Sequence, residues 1–293
     1  MRSAASPWKC ACVAAHVCLA SALAWQSSRA VEPTPRPGDG SVANGAYVNK
    51  YFDMAYPLPS EWTEGLAGPD PSQYGYYVLT TVIPAGEFTA MIMIAAQDQF
   101  FAAKPFGDAA AMAYELGRET AKLERMTIDR PPSKLSIAGR PFSRIDTSGF
   151  GLFNSTWITE SRCHLVSFNV TAKTAQLRAD LALSLEKLTS VGGRDAGNPD
   201  PVCLKNQADT KNLATRVDPP AIAPFTLIPV RVIISRDGSV KHVNVVRAST
   251  AQRTAIENAL GQWKFKPPAI NGLPAEIETG LVIEFTAQGL VKY

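Results

Sequence analysis

A chain of 293 residues with 46% hydrophobic and 19% charged residues has a globular composition, which excludes wholesale disorder. Its formal net charge of +3 is far from the basic stripe of a nucleic-acid binder, and the length suggests about two domains. The totals are unevenly spread, because three of the five cysteines and one of the three histidines lie in the first eighteen residues.

Residues 1–30 have the layout of a secretory signal peptide. Arg2 and Lys9 form a basic start, and Cys10 to Trp25 is an uncharged apolar run. Ala-Leu-Ala at 22–24 and Ser-Arg-Ala at 28–30 are candidate cleavage sites. The run is about 16 residues, short of the roughly 20 that span a bilayer. Export with cleavage is therefore the expectation, with retention as a short anchor by residues 10–25 as the alternative; either places the protein in the periplasm. The segment holds Arg2, Lys9 and Arg29 and no acid, so the remainder is charge-balanced and keeps only Cys163 and Cys203. Two cysteines in an exported protein suggest one disulfide, closing a loop of 40 residues; the other reading is two unpaired thiols.

Residues 31–45 are rich in Pro and Gly and read as a linker. Residues 46–190 then read as an α+β domain. Tyr47 to Tyr56 is aromatic and strand-like, broken by Pro57-Leu-Pro-Ser-Glu-Trp62. Tyr76 to Ile83 and Thr89 to Ala95 are strands. A helix is predicted from about Asp108 to Arg125, with Ala109, Met112, Leu116, Thr120 and Leu123 on one face. Pro131-Pro132 ends that region. Lys134–Ile137, Arg140–Ser148, Leu152–Glu160 and Cys163–Thr171 read as successive short strands. A helix over about Thr174–Leu188 carries Leu177, Leu181, Leu185 and Leu188 on one stripe. The expectation is an antiparallel sheet with packed helices. The run from Tyr51 to Trp62, an aromatic strand leading into a Pro-x-x-Trp turn, resembles the opening of PsbP-like domains. That resemblance implies an α/β/α arrangement and a partner-binding, non-enzymatic role.

Residues 191–223 read as a second linker and 224–293 as a second, small domain. Val230, Val232 and Ile234 alternate on one strand face, Asp237-Gly238 supplies a hairpin turn, and Val240–Val246 returns. Ser249 can cap a helix that runs to about Lys264, with Ile256, Ala259, Leu260 and Trp263 as its apolar stripe. Asn271-Gly272 is another tight turn, and Glu276–Phe285 is the last strand. The order β-β-α-β, with Trp263-Lys-Phe-Lys-Pro267 and Asn271-Gly-Leu-Pro274 at these spacings, resembles the TonB C-terminal domain over about residues 224–287.

The resemblance implies a periplasmic domain that pairs edge to edge with a short segment of an outer-membrane receptor, as in TonB energy transducers. The physical basis is strand addition. The candidate docking edge is the last strand, represented by Ile277, Thr279, Leu281, Ile283 and Phe285. Arg236, Lys241 and Arg247 are candidates for steering an acidic segment. Implied partners are an outer-membrane TonB-dependent receptor and inner-membrane motor proteins, with a homodimer as a further option and no nucleic acid. Transmitting force across the envelope in transmembrane transport requires the anchor to be retained.

The search for catalytic sets yields none: there is no GxSxG, no HExxH and no Walker loop. His164 adjoins Cys163, but strand neighbours point to opposite faces, so a Cys–His nucleophile pair is disfavoured. His242 reads as a solvated residue, Asp53 and Glu61 as a chance pair of carboxylates, and Trp263 as core. The chain is therefore expected to be neither an enzyme nor a holder of a metal or cofactor. An alternative from another class makes 46–190 a ligand- or envelope-binding domain, with a pocket lined by Tyr51, Trp62 and Tyr76. The C-terminal domain would then serve only for oligomerisation.

Overall fold

A computed structural model describes residues 35–66, 68–192, 200–205, 207–287 and 291–292, all within one compact unit. The expected export signal, with Cys10, Cys12 and Cys18, lies outside the described residues. No helix among them is long and apolar enough to cross a membrane.

In chain order the first half contains β1 (Ser41–Ala43), β2 (Ala46–Asn49), β3 (Met54–Pro57), β4 (Trp62–Glu64), β5 (Tyr76–Pro84), β6 (Ala90–Asp98), α1 (Ala109–Thr120), β7 (Met126–Ile137), β8 (Arg140–Gly149), β9 (Leu152–Ser161), β10 (His164–Ala172) and α2 (Ala175–Ser184). The second half contains β11 (Val202–Cys203), β12 (Leu213–Thr215), β13 (Leu227–Ile234), β14 (Val240–Val245), α3 (Thr250–Leu260), β15 (Lys264–Phe265), β16 (Ala269–Ile270), β17 (Leu273–Pro274), β18 (Ile277–Phe285) and β19 (Val291–Lys292). The class is α+β, rich in sheet, with three α-helices among the described residues.

Strands β4-β5-β6-β10-β9-β8-β7 form one antiparallel sheet in that order. Alternation along β9 and β10 sends Trp157, Val166 and Phe168 to one face and Ile158 and Leu165 to the other. The first face is covered by α2 and by the meander β1-β2-β3, through Leu181, Leu185, Tyr47, Met54 and Tyr56. The second is covered by α1. Thr174, where the helix is expected to begin, is its N-cap, and Leu181, Leu185 and Leu188 are buried.

Three expectations are corrected. The strand predicted over Tyr47–Tyr56 is two strands, because Asn49 Oδ1 accepts the Phe52 N–H and Asp53 takes a positive φ of 50°. The buried face of α1 is Ala109, Ala113 and Gly117, while Leu123 is exposed. Small residues win because the helix sits close to the sheet: a Cβ on Gly117 would lie 3.1 Å from Ile145 Cδ1. Finally, Pro131-Pro132 does not end an element but lies inside β7. It does so at the sheet edge, where the pairing register shifts between Ile128 and Ser133 and no ladder hydrogen bond is required of proline.

The second sheet has the order β11-β18-β13-β14, with β19 also on β18. Ser249 caps α3 through a capping box with Gln252. The helix ends at Gly261, earlier than the periodicity predicts, and Ile256, Leu260 and Trp263 pack on Val230, Val232, Ile277 and Ile283. Trp263 Nε1 donates to Val217 O at 2.7 Å, which closes this core. Asn271 and Gly272 both take positive φ, as a tight hairpin between β16 and β17 requires.

Candidate functional site

The strand expected to be last, β18, is followed by the short β19 and is not a bare edge. β13 pairs along one side of it, from Leu227↔Glu284 to Ile234↔Ile277. On the other side β11 lies parallel: Val202 N–H donates to Glu276 O at 2.9 Å and Leu204 N–H to Glu278 O at 3.0 Å. β19 pairs antiparallel with Glu284 and Phe285. Thr279 to Ile283 has no strand on that outer side among the described residues.

The five residues singled out from the sequence point inward. Ile277, Leu281, Ile283 and Phe285 belong to the core under α3, and Thr279 is fully buried. The alternation that identified this strand marks its core face, so these positions offer a partner only backbone groups. The opposite face carries Glu278, Gly280, Val282 and Glu284, of which Val282 is 39% exposed. Gly280 lets the loop after β6 close on the strand, since a Cβ there would lie 2.7 Å from Phe100 Cβ. Arg236, Lys241 and Arg247 are exposed, but they sit at the β13–β14 turn, on β14 and after it, at the other edge of the sheet. Lys241 pairs with Glu276 at 3.0 Å.

The face of β13 and β18 turned away from α3 meets the first sheet at a buried polar cluster that the sequence does not mark. Arg231 on β13 is 1% exposed. Its guanidinium donates to Asp98 at the end of β6, to Glu278 Oε1 (3.2 Å from Nε) and to Arg162 O (3.1 Å). The Tyr51 hydroxyl donates to the same Glu278 oxygen at 3.1 Å, and Arg162 lies over the Tyr51 ring. Arg162 also approaches Glu278 at 3.8 Å, so two cations face two carboxylates. His164 Nδ1 contacts Arg162 O at 2.6 Å, and since a carbonyl only accepts, Nδ1 carries the proton. Its Nε2 lies 3.6 Å from Asp98 Oδ2.

Burial, and then the Arg231 charge, holds His164 well below the usual imidazole range, so it is neutral. Burial pushes the Asp98 carboxyl up, against the pull of Arg231. Burial opposes the charge on Arg231 too, yet Asp98, Tyr51 and Glu278 outweigh it and raise its pKa. The cluster is a balanced set of charges sealed between two sheets, and its neighbour is the disulfide Cys163–Cys203, with Cα atoms 5.7 Å apart.

Other residues weighed from the sequence have structural places. Asp53 accepts from Ser190 Oγ and from the N–H groups of Val191 and Gly192, and it pairs with Arg140 at 2.7 Å; Glu61 is exposed. His242 is half-buried rather than solvated. Tyr51 is buried in the cluster, Trp62 is partly buried and Tyr76 is 37% exposed on β5. A cavity of about 360 Å³ beside the disulfide and one of about 270 Å³ along β5 are lined by other residues than these three. No group of three or more His, Cys, Asp or Glu that could hold a metal occurs among the described residues.

Residues 228–287 match the family described as Gram-negative bacterial TonB protein C-terminal. No curated protein matches the chain. Among solved structures, the solution structure of cyanobacterial PsbP (CyanoP) from Synechocystis sp. PCC 6803 is similar at 15% identity and a TM-score of 0.35. It matches the N-terminal half, with 50% of this chain and 91% of that one covered. A protein of Bacteroides thetaiotaomicron VPI-5482 is similar at 14% identity and a TM-score of 0.25, over 51% of this chain and 48% of that one.

Proposed function

We propose that the chain is an exported, periplasmic, TonB-like protein that acts by protein–protein contact, taking an extended segment of a partner onto the outer edge of β18. What supports this is the TonB C-terminal match over 228–287, together with a stretch from Thr279 to Ile283 whose outer side has no strand among the described residues. Main-chain hydrogen bonds would supply the affinity, and Val282, exposed on that strand, would read the partner. The partner in this reading is the periplasmic segment of an outer-membrane TonB-dependent receptor. Inner-membrane motor proteins enter only if residues 10–25 remain as an anchor. A photo-crosslinking side chain at Val282 in the full chain, expressed in a Gram-negative host, tests it. Capture of an outer-membrane receptor is the expected result. A folded protein that captures no receptor from Val282 would overturn it.

A further inference from the structure

We infer that β11 is a built-in occupant of the docking edge, held on β18 by the Cys163–Cys203 disulfide, and that its release uncovers the edge. The inference rests on the docking reading above, but it concerns a different part of the chain.

β11 is an unusual strand to persist on its own. It is two residues long, and its parallel pairing is a short ladder in which the N–H groups of Val202 and Leu204 donate to Glu276 O and Glu278 O. Both of its side chains are exposed, Val202 at 44%, so burial within β11 contributes little; the following Leu204 packs partly against the core, and Ala208 is the next described residue buried in it. A few net hydrogen bonds of about 1 kcal/mol each do not offset the ordering of a segment with so little buried surface. What changes the balance is covalent: Cys203 is bonded to Cys163, in the turn between β9 and β10 of the other sheet. That turn is fixed by the Arg162 carbonyl accepting from Arg231 and by the Cys163 carbonyl accepting from Gln99 N–H at 3.0 Å. The tether holds β11 at a high effective concentration beside the edge, and an incoming strand competes against it. With β11 at one end and β19 at the other, the uncovered stretch is Thr279 to Ile283; loss of β11 extends it back through Ile277.

The bond is placed to be cut. Cys203 is exposed and Cys163 half-buried. A dithiol reductant of the Cys-x-x-Cys type can attack one sulfur as a thiolate, forming a mixed disulfide. Its second thiol then resolves that bond. The reductant leaves as a disulfide, and Cys163 and Cys203 become thiols, having taken up two electrons and two protons.

Hydrogen exchange on the chain from residue 31 tests the tether without any partner. In the oxidised protein the amides of Val202 and Leu204 should be protected. In C163S/C203S their protection should fall about tenfold or more, while those of Val230 and Val232 in β13 keep theirs. If the double variant does not fold, native protein treated with dithiothreitol gives the same reading and recovers on reoxidation. Unchanged protection at Val202 and Leu204 in the reduced or variant protein, with β13 intact, would overturn the inference. Crosslinking from Val282 should rise several-fold in the variant. Equal crosslinking in both states also counts against it, whereas no crosslinking in either state counts against the docking reading instead.

Discussion

Replacing Arg231 by Met isolates what the buried cluster contributes. Met keeps the apolar stem but ends short of the guanidinium, whose carbon lies 4.8 Å from the Phe100 ring centroid, so it removes the charge, its donors and the volume of that planar group. Arg231, Asp98 and Glu278 are 1%, 0% and 3% exposed, so water cannot replace what is lost. Two cations against two carboxylates become one against two, which strands a carboxylate in a dry site. Breaking such a buried pair from one side costs about 3–5 kcal/mol. The double variant R231M/D98N removes one charge of each sign, and the side-chain amide oxygen it introduces still accepts the Phe100 N–H that Asp98 accepts at 2.8 Å. It should regain at least half of the loss, because a neutral replacement of a buried pair is often close to isoenergetic. Urea unfolding followed by tryptophan fluorescence reads both cores, since Trp157 lies in the first and Trp263 in the second. A cost below about 1 kcal/mol for R231M, or a double variant no more stable than the single one, would refute the reasoning.

The remaining predictions follow from other contacts. His164 is held neutral by burial, so as pH falls below about 6.5 the unfolded chain takes up a proton that the folded chain refuses, and stability declines as pH is lowered from 7.5 towards 5. Asp98, raised by burial, acts in the opposite sense at lower pH; H164N should flatten the decline, measured as the urea midpoint at each pH, and an unaltered slope would exclude His164 as its source. Gly280→Ala should cost about 1–3 kcal/mol by driving a methyl into Phe100 and Phe101, whereas Gly86→Ala, with nothing within 4 Å, should be near neutral in thermal melts. Asp53→Asn should cost about 1–3 kcal/mol, because the carboxylate serves Ser190, Val191, Gly192 and Arg140 together, while E61Q should stay within about 0.5 kcal/mol in the same assay.

Much of the fold was legible where local chemistry decides it. Asp237-Gly238 and Asn271-Gly272 are turns because their backbone needs positive φ, and both glycines have it. Ser249 caps a helix because its hydroxyl reaches the N–H three residues on. The misreadings occur where distant packing decides. Small residues buried on α1 look unremarkable until the sheet lies within reach, and Pro131-Pro132 reads as a stop until β7 is known to be an edge. Arg231 was hidden by a sound rule: alternation assigns Val230, Val232 and Ile234 to the core and their neighbours to water. The rule fails because a second sheet covers that other face. A clue existed in Leu227–Ile234, LIPVRVII, a nearly continuous apolar run of the kind seen in strands buried on both sides, in which Ile233 shares the face of Arg231.

The two ties between the sheets also define how a load would travel. A pull on β18 passes through its hydrogen-bonded ladder to β13, through Arg231 to Asp98 at the end of β6, and so into the centre of the seven-stranded sheet. A second, covalent route runs from β11 through Cys203 to the β9–β10 turn, one strand away. The ionic route bypasses the connecting segment between 191 and 223, whereas the covalent one enters it only at Val202–Cys203. A tug on the C-terminal edge would therefore be felt by the first half as by a rigid handle, with the ionic tie and the disulfide sharing the strain in parallel.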